Sequence, residues 1–276
     1  MMFSALGIGR QDFGADTTTI PPVASPLRYS DALVNPEHPP DLDAHEARWG
    51  RCTPQALVAP GDARKVLRRI PLAARLAVAA IRDPTAFRTT MVAIRRYGAL
   101  QKPLELFEYL RVVRRQRVVR FMEIGTLWGG TFFAHCASTA PDGHAIAIDA
   151  FPQESADAMS ARYRAFAQPA QRVTCVWGDS HADETKHAVA TALDGAALDL
   201  LFLDGDHSSE GAARDYEMYA PLVRSGGMIA FHDIDAAHEG GVPALWRSLR
   251  ERHRSLDIVD RRHAPHGLGI GILFKE

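Results

Sequence analysis

Hydrophobic runs and segments of helical periodicity alternate along the chain from residue 117 onwards. The hydrophobic runs are residues 118–125, 144–151, 172–179, 198–204, 227–233, 256–260 and 269–275. Segments with helical patterns separate most of them, at 129–139, 154–167, 181–193, between 204 and 227, and at 242–252. Strands that alternate with helices predict an α/β fold with a parallel, doubly wound sheet that is covered by helices on both faces.

The chain before residue 117 follows a different pattern and divides into two parts. Residues 1–60 are rich in proline, aspartate and glycine, which predicts an irregular N-terminal arm. Residues 61–116 predict a basic helical extension, in which Pro84 interrupts the helical pattern and a further helix starts near residue 103. The expected third part, residues 117–276, is the domain that contains the sheet.

Charge is distributed unevenly, although the formal net charge is only −1. Residues 61–120 hold 15 Lys and Arg against 4 Asp and Glu, whereas residues 121–276 hold 13 against 22. The basic segment has three interpretations: a solvated helical face, a lid or oligomer contact docked on the acidic domain, or a surface for an anionic substrate. Few aromatic residues interrupt the basic run, so nucleic-acid binding is not expected. We expect the protein to be a homo-oligomer.

The remaining composition is that of an ordinary globular protein, with 46% apolar and 24% charged residues. Its three cysteines are far apart and form no CxxC pair, which argues against a disulfide framework and a thiolate zinc site. The apolar stretch at 72–81 contains an arginine and is too short to span a bilayer. No basic segment followed by an apolar core opens the chain. We therefore expect a cytoplasmic enzyme without a membrane span.

The first strand of the expected sheet runs into a turn that contains glycine, EIGTLWGGT, residues 123–131. Leu127 replaces the second glycine of the dinucleotide fingerprint GxGxxG, and the turn lacks the Lys-Ser/Thr pair of a phosphate-binding loop. The turn resembles the first motif of class I S-adenosylmethionine-dependent methyltransferases, whose glycines make room for the methionine part of the cofactor. The resemblance implies a cofactor-binding group of four residues, in which Glu123 supports the turn: Glu123, Gly125, Thr126 and Gly129. A plain turn from strand to helix is the alternative.

Two further strands end in carboxylates that suit a ligand of the adenosine type. Asp149 ends the second strand, where a carboxylate can accept hydrogen bonds from both ribose hydroxyls, as it does in nicotinamide enzymes. Asp179 and Ser180 end the third strand, at a position that lies beside the adenine in the methyltransferase fold. Each has a simpler alternative: a turn or helix-capping role for Asp149, and the N-cap of the next helix for Ser180.

The densest group of polar residues follows the fourth and fifth strands, in LFLDGDH (201–207) and MIAFHDI (228–234). Because a helical segment joins the two strands, we expect them to lie side by side and parallel, with their carboxyl ends at one rim. This rim collects four side chains: Asp204, His207, His232 and Asp233. A buried strand has no packing reason to end in such groups, since burying an unpaired charge costs on the order of several kcal/mol. The group therefore predicts chemistry, with a divalent metal as the simplest candidate.

The side chains of this rim are of the types that bind divalent cations. Aspartate oxygens favour Mg²⁺, Mn²⁺ or Ca²⁺, and an imidazole shifts the preference towards Mn²⁺, Fe²⁺ or Zn²⁺. A cation there lowers the pKa of a substrate hydroxyl or vicinal diol, and His207 can take the proton as general base. The alternative is structural: Asp206 and His207 cap the next helix while His232 packs against the sheet.

The block LFLDGDHSSEGAARDYEMYAPLVRSGGMIAFHDI, residues 201–234, resembles the corresponding block of the cephalosporin-hydroxylase-like methyltransferases. This group is related to metal-dependent macrolide-sugar O-methyltransferases, and the resemblance extends over about residues 101–275. It implies a Rossmann-like seven-stranded methyltransferase sheet with an N-terminal helical extension. It also implies S-adenosylmethionine and a divalent cation, usually Mg²⁺, as cofactors.

The same resemblance assigns roles to the four residues of the rim. The first metal ligand of the family falls on Asp204, its catalytic base on His207, and its last two ligands on His232 and Asp233. Related sugar methyltransferases have Glu-Asp at the last pair. The histidine in this chain leaves the choice between Mg²⁺ and Mn²⁺ open, and His232 can instead support a ligand or face the substrate.

Together these patterns predict an S-adenosylmethionine-dependent, metal-assisted O-methyltransferase. Its expected acceptor is a hydroxyl of a small molecule, with a sugar or another polyhydroxylated natural product as the preferred class. One alternative is an NAD(P)-dependent oxidoreductase, which the missing GxGxxG and the acid–histidine pairs of two strands disfavour. The other alternative is a non-catalytic module that keeps the fold for ligand binding or assembly.

Overall fold

The computed structural model describes residues 71–236, 241–260 and 268–276 of the chain. The expected irregular arm, residues 1–60, and the first part of the expected helical extension, residues 61–70, lie outside the described residues. Between residues 117 and 258 of the described part, strands and helices alternate as the hydrophobic pattern predicts.

The described helices are α1 (Leu72–Arg82), α2 (Pro84–Tyr97), α3 (Pro103–Arg115), α4 (Gly130–Ser138), α5 (Ala156–Arg164), α6 (Asp183–Leu193), α7 (Ser209–Tyr219) and α8 (Val242–Arg250). The described strands are β1 (Arg120–Ile124), β2 (His144–Asp149), β3 (Arg172–Trp177), β4 (Leu198–Leu203), β5 (Val223–His232), β6 (Ser255–Ile258) and β7 (Ile270–Phe274). None of the helices in these segments is long and apolar enough to cross a bilayer.

The helical extension consists, in its described part, of α1, α2 and α3. Asp83 separates the first two helices: its Oδ1 accepts a hydrogen bond from the Ala86 N–H at 3.0 Å, and Pro84 occupies the first helical position. Both features start a helix, because a carboxylate at the N-cap satisfies a free N–H and proline has no N–H to satisfy. The interruption expected at Pro84 is therefore confirmed as a boundary between two helices.

Seven strands form one sheet in the order β3-β2-β1-β4-β5-β7-β6. β1 pairs in parallel with β2 on one side and with β4 on the other. The chain runs outward from β1 to β3 and then returns to β4, so the direction of winding reverses between β1 and β4. Such a reversal opens a crevice at the carboxyl ends of the strands, which is where open α/β sheets bind ligands. The expected Rossmann-like seven-stranded sheet is confirmed.

The last strand departs from the expected parallel arrangement. β7 runs antiparallel to both of its neighbours, β5 and β6, with Leu273 opposite Ile229. The expectation of a wholly parallel sheet is therefore wrong at this strand. The connection between β6 and β7, residues 259–269, is shorter than the crossover of a dozen or more residues that parallel neighbours require.

The two faces of the sheet bury separate hydrophobic layers. The first layer packs α2, α3, α4 and α5 against strand residues such as Phe121 and Leu200. The second layer packs α6, α7 and α8 against the neighbouring strand residues, such as Met122 and Leu201. Adjacent residues point into opposite layers because the side chains of a strand alternate with a period of two. Leu110 of α3 is fully buried in the first layer, so this part of the helical extension shares the core of the sheet.

A chain of polar side chains crosses the first layer between β1, α4 and α3. His135 Nδ1 lies 2.7 Å from Glu123 Oε2, and His135 Nε2 lies 2.7 Å from the Tyr109 hydroxyl. Burial raises the pKa of Glu123 well above its usual range, and the negative charges of Asp204 and Asp149 add to this effect. Burial also lowers the pKa of His135 to about 3. The core therefore holds two neutral side chains that share a proton, which avoids the desolvation cost of a buried ion pair.

The carboxyl ends of β1 and β4 meet at Gly125. Its N–H donates to the Ile148 carbonyl at 2.9 Å, and the Asp204 N–H donates to the Ile124 carbonyl at 2.9 Å. Gly125 has a φ of 84°, and a Cβ at this position would overlap the backbone of Asp204 and Gly205. Both the backbone conformation and the close approach of the neighbouring strand end therefore require a residue without a side chain.

Replacing Glu123 by Gln should leave the protein folded, because the amide N–H can take over the hydrogen bond that the protonated carboxyl donates to His135. A carboxyl whose pKa is raised by folding stabilises the fold fully below its unfolded pKa, near 4.5, and this contribution is lost as the pH rises. E123Q should therefore gain stability relative to the unmodified protein as the pH rises above about 5, by on the order of 1 kcal/mol per pH unit. Urea unfolding at several pH values measures this difference.

Glu210→Gln, at an exposed position on α7, is the control for the loss of one carboxylate. The titration of His135 occurs in both proteins and cancels in the comparison. A relative stability of E123Q that falls as the pH rises would contradict the neutral pair, because it would show that Glu123 is ionised and bonded to a protonated His135.

Gly125→Ala should destabilise the protein more than Gly195→Ala. Both glycines have positive φ, 84° and 74°, so both alanines carry the cost of the left-handed region, about 1–2 kcal/mol. Only at Gly125 does the new methyl group also overlap backbone, since no atom lies within 4 Å of a Cβ placed at Gly195. The free energy of unfolding, measured by urea denaturation, should fall by about 2 kcal/mol more for G125A than for G195A. Equal losses would contradict the close approach of the two strand ends.

Candidate functional site

The candidate site lies at the carboxyl edge of the sheet, where the turn after β1 meets the ends of β2, β4 and β5. Protein atoms lie where a side chain would stand at both glycines of this turn. A Cβ at Gly125 would meet residues 204–205, and a Cβ at Gly129, the N-cap of α4, would meet the Tyr163 ring. The expected tight turn is therefore present, and its glycines are needed for packing. Glu123, which was expected to support the turn, lies in the core and bonds the histidine of α4, the helix that the turn begins.

The carboxylate of Asp149, at the end of β2, holds the turn in place. Its Oδ2 accepts hydrogen bonds from the Thr126 N–H at 2.9 Å, the Leu127 N–H at 2.7 Å and the Thr126 hydroxyl at 3.2 Å. Its Oδ1 accepts a hydrogen bond from the Phe151 N–H at 2.9 Å. The Tyr163 hydroxyl lies 3.0 Å from both Thr126 Oγ1 and the Leu127 carbonyl. The structure thus brings together Asp149 and Thr126, two of the residues expected to contact a cofactor.

Asp179 and Ser180 follow β3, farther along the same edge of the sheet. The Asp179 side chain is 68% exposed, and its Oδ1 accepts a hydrogen bond from the His181 N–H at 2.9 Å. The Ser180 carbonyl accepts a hydrogen bond from the Tyr219 hydroxyl at 2.6 Å. The N-cap of α6 is Ala182, without a side-chain cap bond, so the alternative that Ser180 caps this helix is wrong. The exposed carboxylate of Asp179 is accessible to a ligand.

The four polar side chains after β4 and β5 converge, as expected. His232 Nδ1 lies 3.0 Å from Asp204 Oδ1 and 3.4 Å from Asp233 Oδ1. His207 Nε2 lies 3.2 Å from Asp204 Oδ1, and His207 Nδ1 lies 3.5 Å from Asp233 Oδ2. One ligand atom each from Asp204, His232 and Asp233 lies within 4.8 Å of the others. His232 is buried at the inner side of this cluster, whereas His207 is 55% exposed.

The chain leaves β5 in an uncommon conformation at Asp233, where φ is 61°. Aspartate is one of the few residues other than glycine that visits this left-handed region, at a cost of about 1–2 kcal/mol. Strain of this kind persists where the surrounding structure imposes it, and it is concentrated at functional sites. The backbone conformation at the end of β5 is therefore consistent with a functional role for the Asp233 carboxylate.

Ser208, rather than the two residues before it, caps the helix that follows β4. Its Oγ accepts a hydrogen bond from the Gly211 N–H at 3.0 Å. Asp206 contributes to the turn, since its Oδ1 accepts a hydrogen bond from the Ser208 N–H at 2.8 Å. The alternative in which His207 caps α7 is therefore wrong, and its ring faces the two carboxylates of the cluster instead.

Charges within the cluster determine the protonation of its histidines. Burial opposes a charge on His232, but the Asp204 carboxylate, together with Asp233 and Glu105, raises its pKa to about 9. The hydrogen bond with Asp204 raises the pKa of His207. Burial opposes the ionisation of Asp204, yet His232 and His207 hold its pKa below the usual value. Asp204 is therefore ionised, and a protonated His232 compensates its charge.

The donor set of this cluster fits a divalent cation. Two carboxylates and an imidazole nitrogen converge, and a cation among them would supply the positive charge that the His232 proton otherwise provides. His232 Nε2 is buried and has no hydrogen-bond partner among the residues that the structure describes. Two oxygens and one nitrogen suit Mn²⁺, Fe²⁺ or Zn²⁺ as well as Mg²⁺. The three candidate ligands are Asp204, His232 and Asp233.

Gln101, which the sequence pattern does not single out, reaches the cluster from the segment between α2 and α3. Its Nε2 donates to Asp204 Oδ2 at 3.1 Å, and its Oε1 accepts a hydrogen bond from the Thr131 hydroxyl at 2.7 Å. Gln101 and Asp204 are 103 residues apart in the chain. No local signal identifies a residue of this kind, because its position depends on how the helical extension packs against the sheet.

Comparison with known proteins identifies the segment that carries the site. Residues 122–234 match a family model described as a methyltransferase domain. One curated relative, the uncharacterized protein y4gI of Sinorhizobium fredii (strain NBRC 101917 / NGR234), is 25% identical over 170 residues. That match covers 59% of this chain, and the chain spans only 18% of the length of the relative.

Solved structures of methyltransferases share the fold. An O-methyltransferase from Bacillus cereus is 15% identical, with a TM-score of 0.52, over 74% of this chain and 97% of that chain. The MycE methyltransferase from the mycinamycin biosynthetic pathway is 18% identical, with a TM-score of 0.51, over 81% of this chain and 67% of that chain. Residues 122–234 thus match a methyltransferase-domain model, and the sheet that contains them has the fold of these solved methyltransferases.

Proposed function

We propose that the protein transfers a methyl group from S-adenosylmethionine to a hydroxyl oxygen of a small molecule, with the help of a divalent cation. The observation that carries the proposal is the convergence of Asp204, His232 and Asp233, with His207 beside them, at the ligand edge of a methyltransferase domain. A hydroxyl must lose its proton to become a good nucleophile, and a cation site next to a general base meets this requirement.

The ligands of two proteins with the same fold support the proposed classes of cofactor and acceptor. The structure of the Bacillus cereus enzyme contains S-adenosylhomocysteine, and that of MycE contains Mg, S-adenosylhomocysteine and mycinamycin VI. For this chain we propose a sugar or another polyhydroxylated natural product as acceptor, because neighbouring hydroxyls can chelate a cation held by carboxylates. Mg²⁺ and Mn²⁺ are the proposed cations.

The cofactor is proposed to lie along the carboxyl edge of the sheet, from the turn after β1 past Asp149 to Asp179. Hydrogen bonds to Asp149 already fix the turn, so its backbone needs little ordering when a ligand binds. The exposed Asp179 carboxylate suits the amino group of adenine. The packing of Gly125 on residues 204–205 supports a cofactor position next to the carboxylate cluster.

His207 is the proposed general base. Its hydrogen bond to Asp204 orients the ring, and its exposure lets an acceptor reach it. The neutral ring takes the proton of the acceptor hydroxyl while the oxygen forms a bond to the methyl carbon and the carbon–sulfur bond breaks. S-adenosylhomocysteine and the methyl ether are the products. A divalent cation, when bound, supplies positive charge that favours both the ionised acceptor and the neutral form of His207.

Asp204→Asn should weaken Mn²⁺ binding by at least about tenfold and abolish methyl transfer, because it removes the charge that both histidines and the cation require. Asp206→Asn is the matched control, since this exposed residue lies in the same loop and an asparagine keeps its turn. Mn²⁺ titration followed by electron paramagnetic resonance measures the binding. Equal Mn²⁺ affinities of D204N and the unmodified protein would exclude the proposed metal site.

His207→Gln should lower kcat by roughly 10²–10⁴-fold, the usual contribution of a general base. Affinities for Mn²⁺ and S-adenosylmethionine should change little, because His207 is exposed and lies outside the three candidate ligands. Release of S-adenosylhomocysteine with a panel of polyhydroxylated acceptors measures turnover, and calorimetry measures cofactor binding. Unchanged turnover would exclude His207 as the base. Tight NAD(H) binding without S-adenosylmethionine binding would overturn the proposed reaction as a whole.

A further inference from the structure

We infer that Gln101 positions the carboxylate of Asp204, and that the hydroxyl of Thr131 sets the orientation of Gln101 for this task. The inference rests on the proposed function, in which Asp204 is a metal ligand. It extends the site beyond the strand ends to a residue of the helical extension and to the first turn of α4.

The two oxygens of Asp204 have different partners. Oδ1 faces the two histidines of the cluster: it lies 3.0 Å from His232 Nδ1 and 3.2 Å from His207 Nε2. Oδ2 accepts a hydrogen bond from Gln101 Nε2 at 3.1 Å. Rotation of the carboxylate about its bond to Cβ would break all of these contacts together. Gln101 therefore fixes the plane of the carboxylate so that Oδ1 remains turned towards the two histidines.

The chemistry of the partners determines which end of the Gln101 amide faces Asp204. The NH₂ group of Gln101 faces Asp204, because Nε2 donates to Oδ2 at 3.1 Å and an amide oxygen in its place could not donate to a carboxylate oxygen. The amide oxygen then faces Thr131 Oγ1 at 2.7 Å, and the hydroxyl must donate. If the Gln101 amide were reversed, its oxygen would face the Asp204 carboxylate, and neither group could donate a hydrogen bond to the other. Thr131 thereby stabilises the orientation that Asp204 needs.

Packing holds this pair in place and excludes water. Gln101 is 1% exposed and Thr131 is 5% exposed. The chain before Gln101 lies directly on the start of α4, because a Cβ at Gly130 would overlap the backbone of Ala99. On its other side Lys102 is buried, and its Nζ donates to the Asp260 carbonyl at 3.1 Å. A buried amide that loses one partner has no water to replace it, so each hydrogen bond of Gln101 affects the other.

The hydrogen bonds from Thr131 to Gln101 and from Gln101 to Asp204, here called the relay, therefore join two parts of the proposed site. Thr131 lies two residues after Gly129, at the end of the turn that is proposed to contact the cofactor. Asp204 is the carboxylate that both histidines share. Through Gln101, the first turn of α4 and the candidate metal ligand keep a fixed relation to each other, which a reaction between a bound cofactor and a bound acceptor requires.

Four variants of the full-length protein test this relay. Gln101→Met keeps the approximate shape of the side chain and removes both hydrogen bonds, and Thr131→Val removes the donor that orients the amide. Thr131→Ser keeps that donor. Thr139→Val is the matched control, because it removes a similar threonine–glutamine hydrogen bond, from Gln171 Nε2 to Thr139 Oγ1 at 3.1 Å, near the other end of α4.

Mn²⁺ dissociation constants and melting temperatures of all four variants give the first readout. Q101M and T131V should bind Mn²⁺ about tenfold more weakly or worse, the usual effect of losing a partner of a metal ligand. The Mn²⁺ dissociation constants of T131S and T139V should stay within about twofold of that of the unmodified protein. This should hold even if T139V lowers the melting temperature as much as T131V does. Equal Mn²⁺ affinities for T131V and T131S, or for Q101M and the unmodified protein, would overturn the inference.

Crystal structures of the metal-free Q101M and T131V proteins give a second readout that does not depend on metal binding. Asp204 Oδ1 should no longer lie within hydrogen-bond distance of His232 Nδ1. An unchanged Asp204 side chain in both structures would overturn the inference. If the unmodified protein and D204N bind Mn²⁺ equally, the metal part of the proposed function fails, and the orientation of Asp204 in these structures still decides the role of Gln101.

Discussion

The absence of a side chain at residue 125 is the constraint on which the candidate site depends. It lets the end of β1 rest on the backbone of residues 204–205, at the point where the winding of the sheet reverses. The glycine turn continues β1, and the carboxylate cluster continues β4 and β5, so this single contact sets the distance between them. Transfer reactions lose much of their rate when reacting groups are misplaced by about 1 Å. A backbone contact, which cannot change rotamer, is suited to hold that distance.

Much of this arrangement follows from the hydrophobic pattern alone. Seven apolar runs predict the seven strands, and the rule that parallel strands end at the same edge predicts that Asp204, His207, His232 and Asp233 meet. The direction of β7 does not follow from its apolar run, because such a run has the same pattern in either direction. The short connection before β7, residues 259–269, favours an antiparallel return.

The remaining features depend on packing that crosses long distances in the chain. Gln101 reaches Asp204 only because the helical extension shares the core of the sheet, and no pattern of neighbouring residues encodes that contact. Glu123 is an intermediate case. It lies two residues after Phe121 on the strand, so both side chains point into the first hydrophobic layer, as the period of two predicts. Its partner, His135, becomes evident only when α4 is in place.

The hydrogen bonds of Asp149 have a consequence for any ligand that carries a vicinal diol. Each oxygen of a carboxylate offers about two lone pairs. Three protein donors share those of Oδ2, and one donor uses a single lone pair of Oδ1. One lone pair, on Oδ1, is open to a first ligand hydroxyl. A second hydroxyl can bind only by displacing a donor, and the Thr126 hydroxyl, at 3.2 Å, makes the longest of the four contacts. The displaced hydroxyl can donate to the Tyr163 oxygen, 3.0 Å away, while the Tyr163 O–H donates to the Leu127 carbonyl. A diol can therefore replace the Thr126 contact without leaving a buried group unsatisfied.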